Sequence, residues 1–103
     1  MDRRWALLAV LLPLAGCGAV IPPVTPALVA QAKARGVATD AAQLERGRMI
    51  YTTRCNTCHS LHDPTEKTVA QWPGVVAIMG PRAYLPEAQR ADVLAFLQAT
   101  GAP

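Results

Sequence analysis

"RCNTCHS", Arg54 to Ser60, places Cys55 and Cys58 three positions apart, with His59 directly after the second. The chain has three cysteines and two histidines in 103 residues, so one short run holds most of its thiol and imidazole chemistry. Cys-x-x-Cys-His is the pattern of covalent haem attachment. The reason is geometric. Two vinyl groups lie on one edge of the macrocycle, and two thiols at this spacing can each form a thioether to one of them. The next residue then comes over one face, where an imidazole nitrogen reaches the iron. In this reading Cys55 and Cys58 carry one haem c and His59 is its proximal ligand. Three other readings use the same residues. A thioredoxin-like redox pair sits at a helix start after a strand, and no strand pattern precedes Cys55. Zinc could take Cys55, Cys58, His59 and His62, but adjacent Cys58 and His59 are hard to aim at one tetrahedral ion, and the usual spacer between ligand pairs is missing. A plain disulfide explains the thiols and leaves His59 idle.

Working outward, "MDRRWALLAVLLPLAGC", Met1 to Cys17, opens with Arg3 and Arg4 and continues as an apolar run from Trp5 to Ala15 broken by Pro13. Crossing about 30 Å of hydrocarbon needs about 20 apolar residues, so the run reads as the apolar part of an export signal. The ending "LAGC", Leu14 to Cys17, resembles the lipobox of bacterial lipoproteins. That resemblance implies cleavage of residues 1–16 and lipid on Cys17, with a membrane anchor and an exported chain facing the periplasm or the cell exterior. Several acyl chains on one residue hold well where a single chain binds marginally. Cleavage removes Asp2, Arg3 and Arg4 from ten basic and seven acidic residues, taking the net charge from +3 to about +2. Without a basic cluster this points to no nucleic-acid partner. Exported proteins usually pair their cysteines. Lipid accounts for Cys17, and the haem for the other two.

The pattern of the remaining chain is all-α. Pro22, Pro23 and Pro26 make residues 17–38 a lipidated, proline-containing spacer, with a short helix over 27–35 ended by Gly36. The domain then runs over 39–103. A helix capped by Thr39 or Asp40 carries Leu44, Gly47 and Tyr51 on one face. Gly47 costs about 1 kcal/mol against alanine in a helix, so something packs closely there. Val69, Trp72, Val75, Val76 and Met79 form an apolar stripe, with Thr68 and Gln71 at capping-box spacing. Pro73 kinks this element or marks its start, and Gly80 with Pro81 ends it. The last helix has Pro86 in its first turn, an apolar face of Val93, Leu94, Phe96 and Leu97, and Gly101 as its stop.

Over residues 39–99 the chain resembles the cytochrome c family, specifically small monohaem bacterial domains. The resemblance is carried by "CNTCH", by Gly47 and Tyr51 ahead of Cys55, and by "ADVLAFL" near the end. It implies three to four helices around one covalent haem, with the first and last helices of the domain crossing where Gly47 and Tyr51 meet Phe96. It also implies a methionine on the far face of the haem. Met49, Met79 and His62 are the candidates. His62 follows His59 too closely to wrap the porphyrin edge at about 3.3–3.6 Å per residue. Met49 reads as packing. Met79, twenty residues past His59, has enough chain to pass around and is assigned as the distal ligand; its competing role is core filler. The resemblance further suggests that the Pro64 carbonyl accepts the free His59 N–H. His62 faces solvent or a propionate, and Trp72 packs on the haem or in the core.

A haem bound by histidine and methionine leaves no open position, which implies an electron carrier, not an enzyme, with redox proteins as donor and acceptor and no small-molecule substrate. An open fifth-ligand-only iron would instead sense small ligands or act as a weak peroxidase. An electron-entry subunit of an oxidoreductase complex would have the same chemistry as the carrier.

Overall fold

The computed structural model describes residues 19–56 and 59–103. The export signal, Cys17 and Cys58 lie outside the described residues. Four helices form the described chain: α1 (Pro26–Ala34), α2 (Ala41–Arg54), α3 (Trp72–Arg82) and α4 (Glu87–Thr100), with a 3-10 turn at Pro64–Glu66. The one extended pairing among the described residues is an isolated parallel bridge between Thr68 and Ala102. The chain is therefore all-α there, as its apolar spacing predicts.

Local chemistry sets the helix ends. The Thr25 hydroxyl accepts from the Leu28 N–H and Pro26 supplies the first turn of α1. Asp40 accepts from the Gln43 N–H at 2.8 Å and so caps α2. The α1 end needs Gly36, whose φ of +75° lets the Val37 N–H fold back to the Ala32 carbonyl. Thr68 and Gln71 form the reciprocal capping pair, at 2.9 and 3.2 Å, on the turn that feeds α3. Pro73 lies in the first turn of α3, where its missing N–H has no partner to lose. Pro86 stands one residue before the first turn of α4, at the cap position.

Two expectations are corrected. Gly80 and Pro81 do not end α3, which runs on to Arg82. So near the helix end, Pro81 forfeits only a bond to the carbonyl of Ala77, an exposed residue whose carbonyl water can serve. The actual stop comes three residues after Pro81. Tyr84 adopts φ +56°, and the Leu85 N–H reaches back to Gly80 while Tyr84 N–H bonds Pro81. Met49, expected as packing, is 67% exposed, because the buried stripe of α2 is Leu44, Gly47 and Tyr51.

The core sits where α2 crosses α4. A Cβ added at Gly47 would lie 2.1 Å from the Asp92 carbonyl oxygen and 2.8 Å from Phe96 Cβ, so only glycine permits the approach. Phe96 is fully buried, and the Tyr51 ring lies 6.4 Å from it and 6.4 Å, edge-on, from Trp72. Arg46 pairs with Asp92 across the same crossing at 3.1 Å.

The packed unit begins before residue 39. Ala32 of α1 is fully buried, and Ile21, Val24, Leu28 and Val29 pack against the core. Arg35 donates to the carbonyls of Gln98, Ala99 and Gly101 at 2.9–3.0 Å, placing a cation on the negative end of α4. Much of the stretch expected as spacer is thus bound to the domain.

Candidate functional site

Apart from the edge-on contact of Tyr51 with Trp72, the helices α2 and α3 stand apart. Between them opens a pocket of about 450 Å³, within the roughly 300–1,000 Å³ range of cofactor and small-molecule sites. One side comes from the end of α2 and the segment after it: Tyr51, Cys55, His59, Leu61 and His62. Another comes from α3: Trp72, Val75, Val76, Ile78 and Met79. Val93 and Leu97, one turn apart on α4, complete it.

Cys55 occupies the C-terminal cap of α2 and is half-buried. Burial pushes its thiol up from the ordinary value, and neighbouring Arg54 pulls it back only partly. A redox dithiol needs the reverse shift, which comes from a helix N-terminus or a strong local positive field. The site therefore lacks what the thioredoxin-like reading requires of Cys55.

His59 is exposed, and its Nδ1 lies 2.9 Å from the Ser60 carbonyl. A carbonyl only accepts, so this is a hydrogen bond when the proton is on Nδ1. The neutral form of that tautomer leaves the Nε2 lone pair free for a metal. The suggested Pro64 partner is not used. Pro64 is buried, and its carbonyl accepts the Trp72 indole N–H at 3.0 Å. Trp72 is accordingly a core residue that also meets the pocket.

His62 is exposed and its Nδ1 meets Glu66 Oε2 at 2.7 Å, while its own carbonyl accepts the Tyr51 hydroxyl. The two imidazole rings are 5.4 Å apart. Tyr51 is pushed up to about 12, chiefly by burial and then by Cys55, so its hydroxyl stays a neutral donor. Among the described residues no group of three or more His, Cys, Asp and Glu side chains is arranged to hold a metal ion.

Met79 lines the pocket and is 41% exposed. It fills no core. Ile78, missed by the periodicity because it lies off the apolar stripe, is 57% exposed and lines the same pocket. Three cations were also missed: Arg54, Lys67 and Arg82 all line it, and no carboxylate does. They are scattered along the chain, so no run of charge announces them. Arg54 further ties the end of α2 to the α3–α4 turn by donating to the Ala83 carbonyl at 3.1 Å. Among the described residues no helix is long and apolar enough to cross a membrane.

No family model matches the chain, and neither a curated protein nor a solved structure matches it. The functional reading therefore rests on the motif and on this pocket.

Proposed function

We propose that the chain is a membrane-tethered c-type cytochrome, an electron carrier with one haem attached through Cys55 and Cys58. The observation that carries the proposal is the convergence of Cys55, His59 and Met79 on one apolar pocket whose lining has three cations and no anion. A flat apolar group with two carboxylates fits such walls. Bound haem would supply one-electron chemistry, and histidine–methionine ligation favours its reduced state.

The chain's own residues have separable tasks. Cys55 and Cys58 hold the group covalently, which makes it permanent. His59 presents Nε2, with Nδ1–H engaged by the Ser60 carbonyl. Met79 offers its thioether from α3, across the gap from the segment after α2. Arg54, Lys67 and Arg82 supply positive charge for the propionates, while Val75, Val76, Val93 and Leu97 keep water from the apolar faces. Lipid on Cys17 of the exported chain would confine it to redox partners at the same membrane. Confinement raises effective concentration, so weak docking suffices. An electron-entry subunit would use the same parts in a permanent complex.

Methionine at the pocket favours the closed, six-coordinate form over an open site for gases or peroxide. Protein made in a host competent for haem attachment should be coloured and should give a covalent c-type spectrum in alkaline pyridine. Met79→Ala should lose the thioether-to-iron band of the oxidised protein, lower the potential and bind carbon monoxide rapidly, where the parent does not. Colourless protein with no added mass would refute the reading. A coloured parent that binds carbon monoxide as readily as Met79→Ala would leave the ligand-sensing alternative.

A further inference from the structure

The exposed large apolar side chains among the described residues fall into two groups. Ile78, Met79 and Tyr84 lie on α3 and the turn after it. Val20, 80% exposed, and Met49, 67% exposed, lie elsewhere, and the pocket does not use them.

One contact ties the chain just after Val20 to the turn of α2 that carries Met49. Arg48, on α2, donates from Nε to the Pro22 carbonyl at 2.9 Å and from Nη2 to the Ile21 carbonyl at 3.2 Å. Val20 adjoins one end of this clasp and Met49 the other. Ile21 and Val24 pack against the core beside it. The chain entering the fold is thus held at Ile21 and is not a free leash.

This bears on the tether. From Cys17 to Ile21 is four residue steps, about 14 Å even when fully extended. Cys55, which caps α2, comes seven residues after Arg48, about 10 Å along the helix axis. An anchor at Cys17 therefore cannot carry the Arg48 clasp, or the Cys55 end of the pocket, far from the bilayer.

We infer that the surface bearing Val20 and Met49 rests on the lipid bilayer, with the Arg48 clasp fixing the domain's orientation there. The inference rests on the reading of Cys17 as the lipid-bearing residue. The occupant follows from the short chain between clasp and anchor, which brings lipid to this face before any other. An oriented domain presents its pocket at a constant height, so its partners must offer their redox centres near the headgroups.

The test uses the full, lipidated, haem-loaded chain in phosphatidylethanolamine–phosphatidylglycerol vesicles, with and without a nickel-chelating lipid. Nitroxide labels go on Met49→Cys and on Gly74→Cys. Gly74 lies on α3, across the pocket from α2, and a Cβ there meets nothing within 4 Å. Nickel-induced relaxation should be several-fold greater at position 49 than at 74. A flexible Gly-Ser insert between Gly18 and Ala19, ahead of the Arg48 clasp, should bring the two values together. Equal relaxation at both sites without the insert, or a difference that the insert leaves unchanged, overturns the inference while the anchor stands. Failure of the chain to stay on vesicles at all overturns the lipid reading and this inference with it.

Discussion

At the scale of single residues, Gly47 and Tyr51 show how closely the α2–α4 crossing is specified. Alanine at position 47 gains about 1 kcal/mol of helix propensity but sets a methyl against backbone, which cannot give way as a side-chain tip could. Overpacking typically costs about 1–3 kcal/mol, and contact with a carbonyl belongs at or above the top of that range. Gly47→Ala should therefore destabilise by about 2 kcal/mol or more, read from the urea midpoint at unchanged m-value. Tyr51 predicts a pH dependence. Its folded pKa, about 12, lies above the ordinary value of 10.0, so the folded state favours the neutral phenol. That stability is complete below pH 10 and is lost as pH rises towards 12. Urea midpoints should fall through this window, and Tyr51→Phe should remove Tyr51's share of the slope.

At the scale of elements, the α3–α4 turn stands out. Its hydrogen bonds are those of a glycine-ended helix, yet the left-handed position holds Tyr84, 86% exposed at φ +56°. Burial offsets little of that strain, which is of order 1 kcal/mol or more. Tyr84→Gly should stabilise the protein by about 1 kcal/mol in thermal or urea unfolding. No gain would mean that Tyr84 contributes a compensating contact. The turn keeps its place through Leu85, which is buried behind it, and through the Arg54 bond to Ala83. The ends of α2 and α3 are thereby held while their middles stay apart.

For the whole molecule, the proposed haem and the folding of the chain are coupled. The described core is small, and several apolar side chains of α3 face the pocket instead of another helix. A domain of this size has little buried surface to spare. The Cys55→Ala, Cys58→Ala double variant should therefore be poorly ordered, with far-UV circular dichroism well below that of the haem-bearing parent. Native helix content in that variant would show that the four helices need no prosthetic group.

The helix inventory was legible in the chain because its determinants are local. Asp40, Gly36, Gly101 and the Thr68–Gln71 pair act within a few residues, and Gly47 inside α2 anticipates that something packs closely there. The proposed haem motif was legible for the same reason, since Cys55, Cys58 and His59 are close enough in the chain to be read together. What brings Met79, Arg54, Lys67 and Arg82 to one pocket with Cys55 and His59 is long-range packing, and it leaves no periodic trace. Arg48 to Pro22 and Arg35 to Gly101 span 26 and 66 residues. Side chains that bond distant carbonyls carry no signature of their partner, so only the folded chain could turn an apparent spacer into part of the domain.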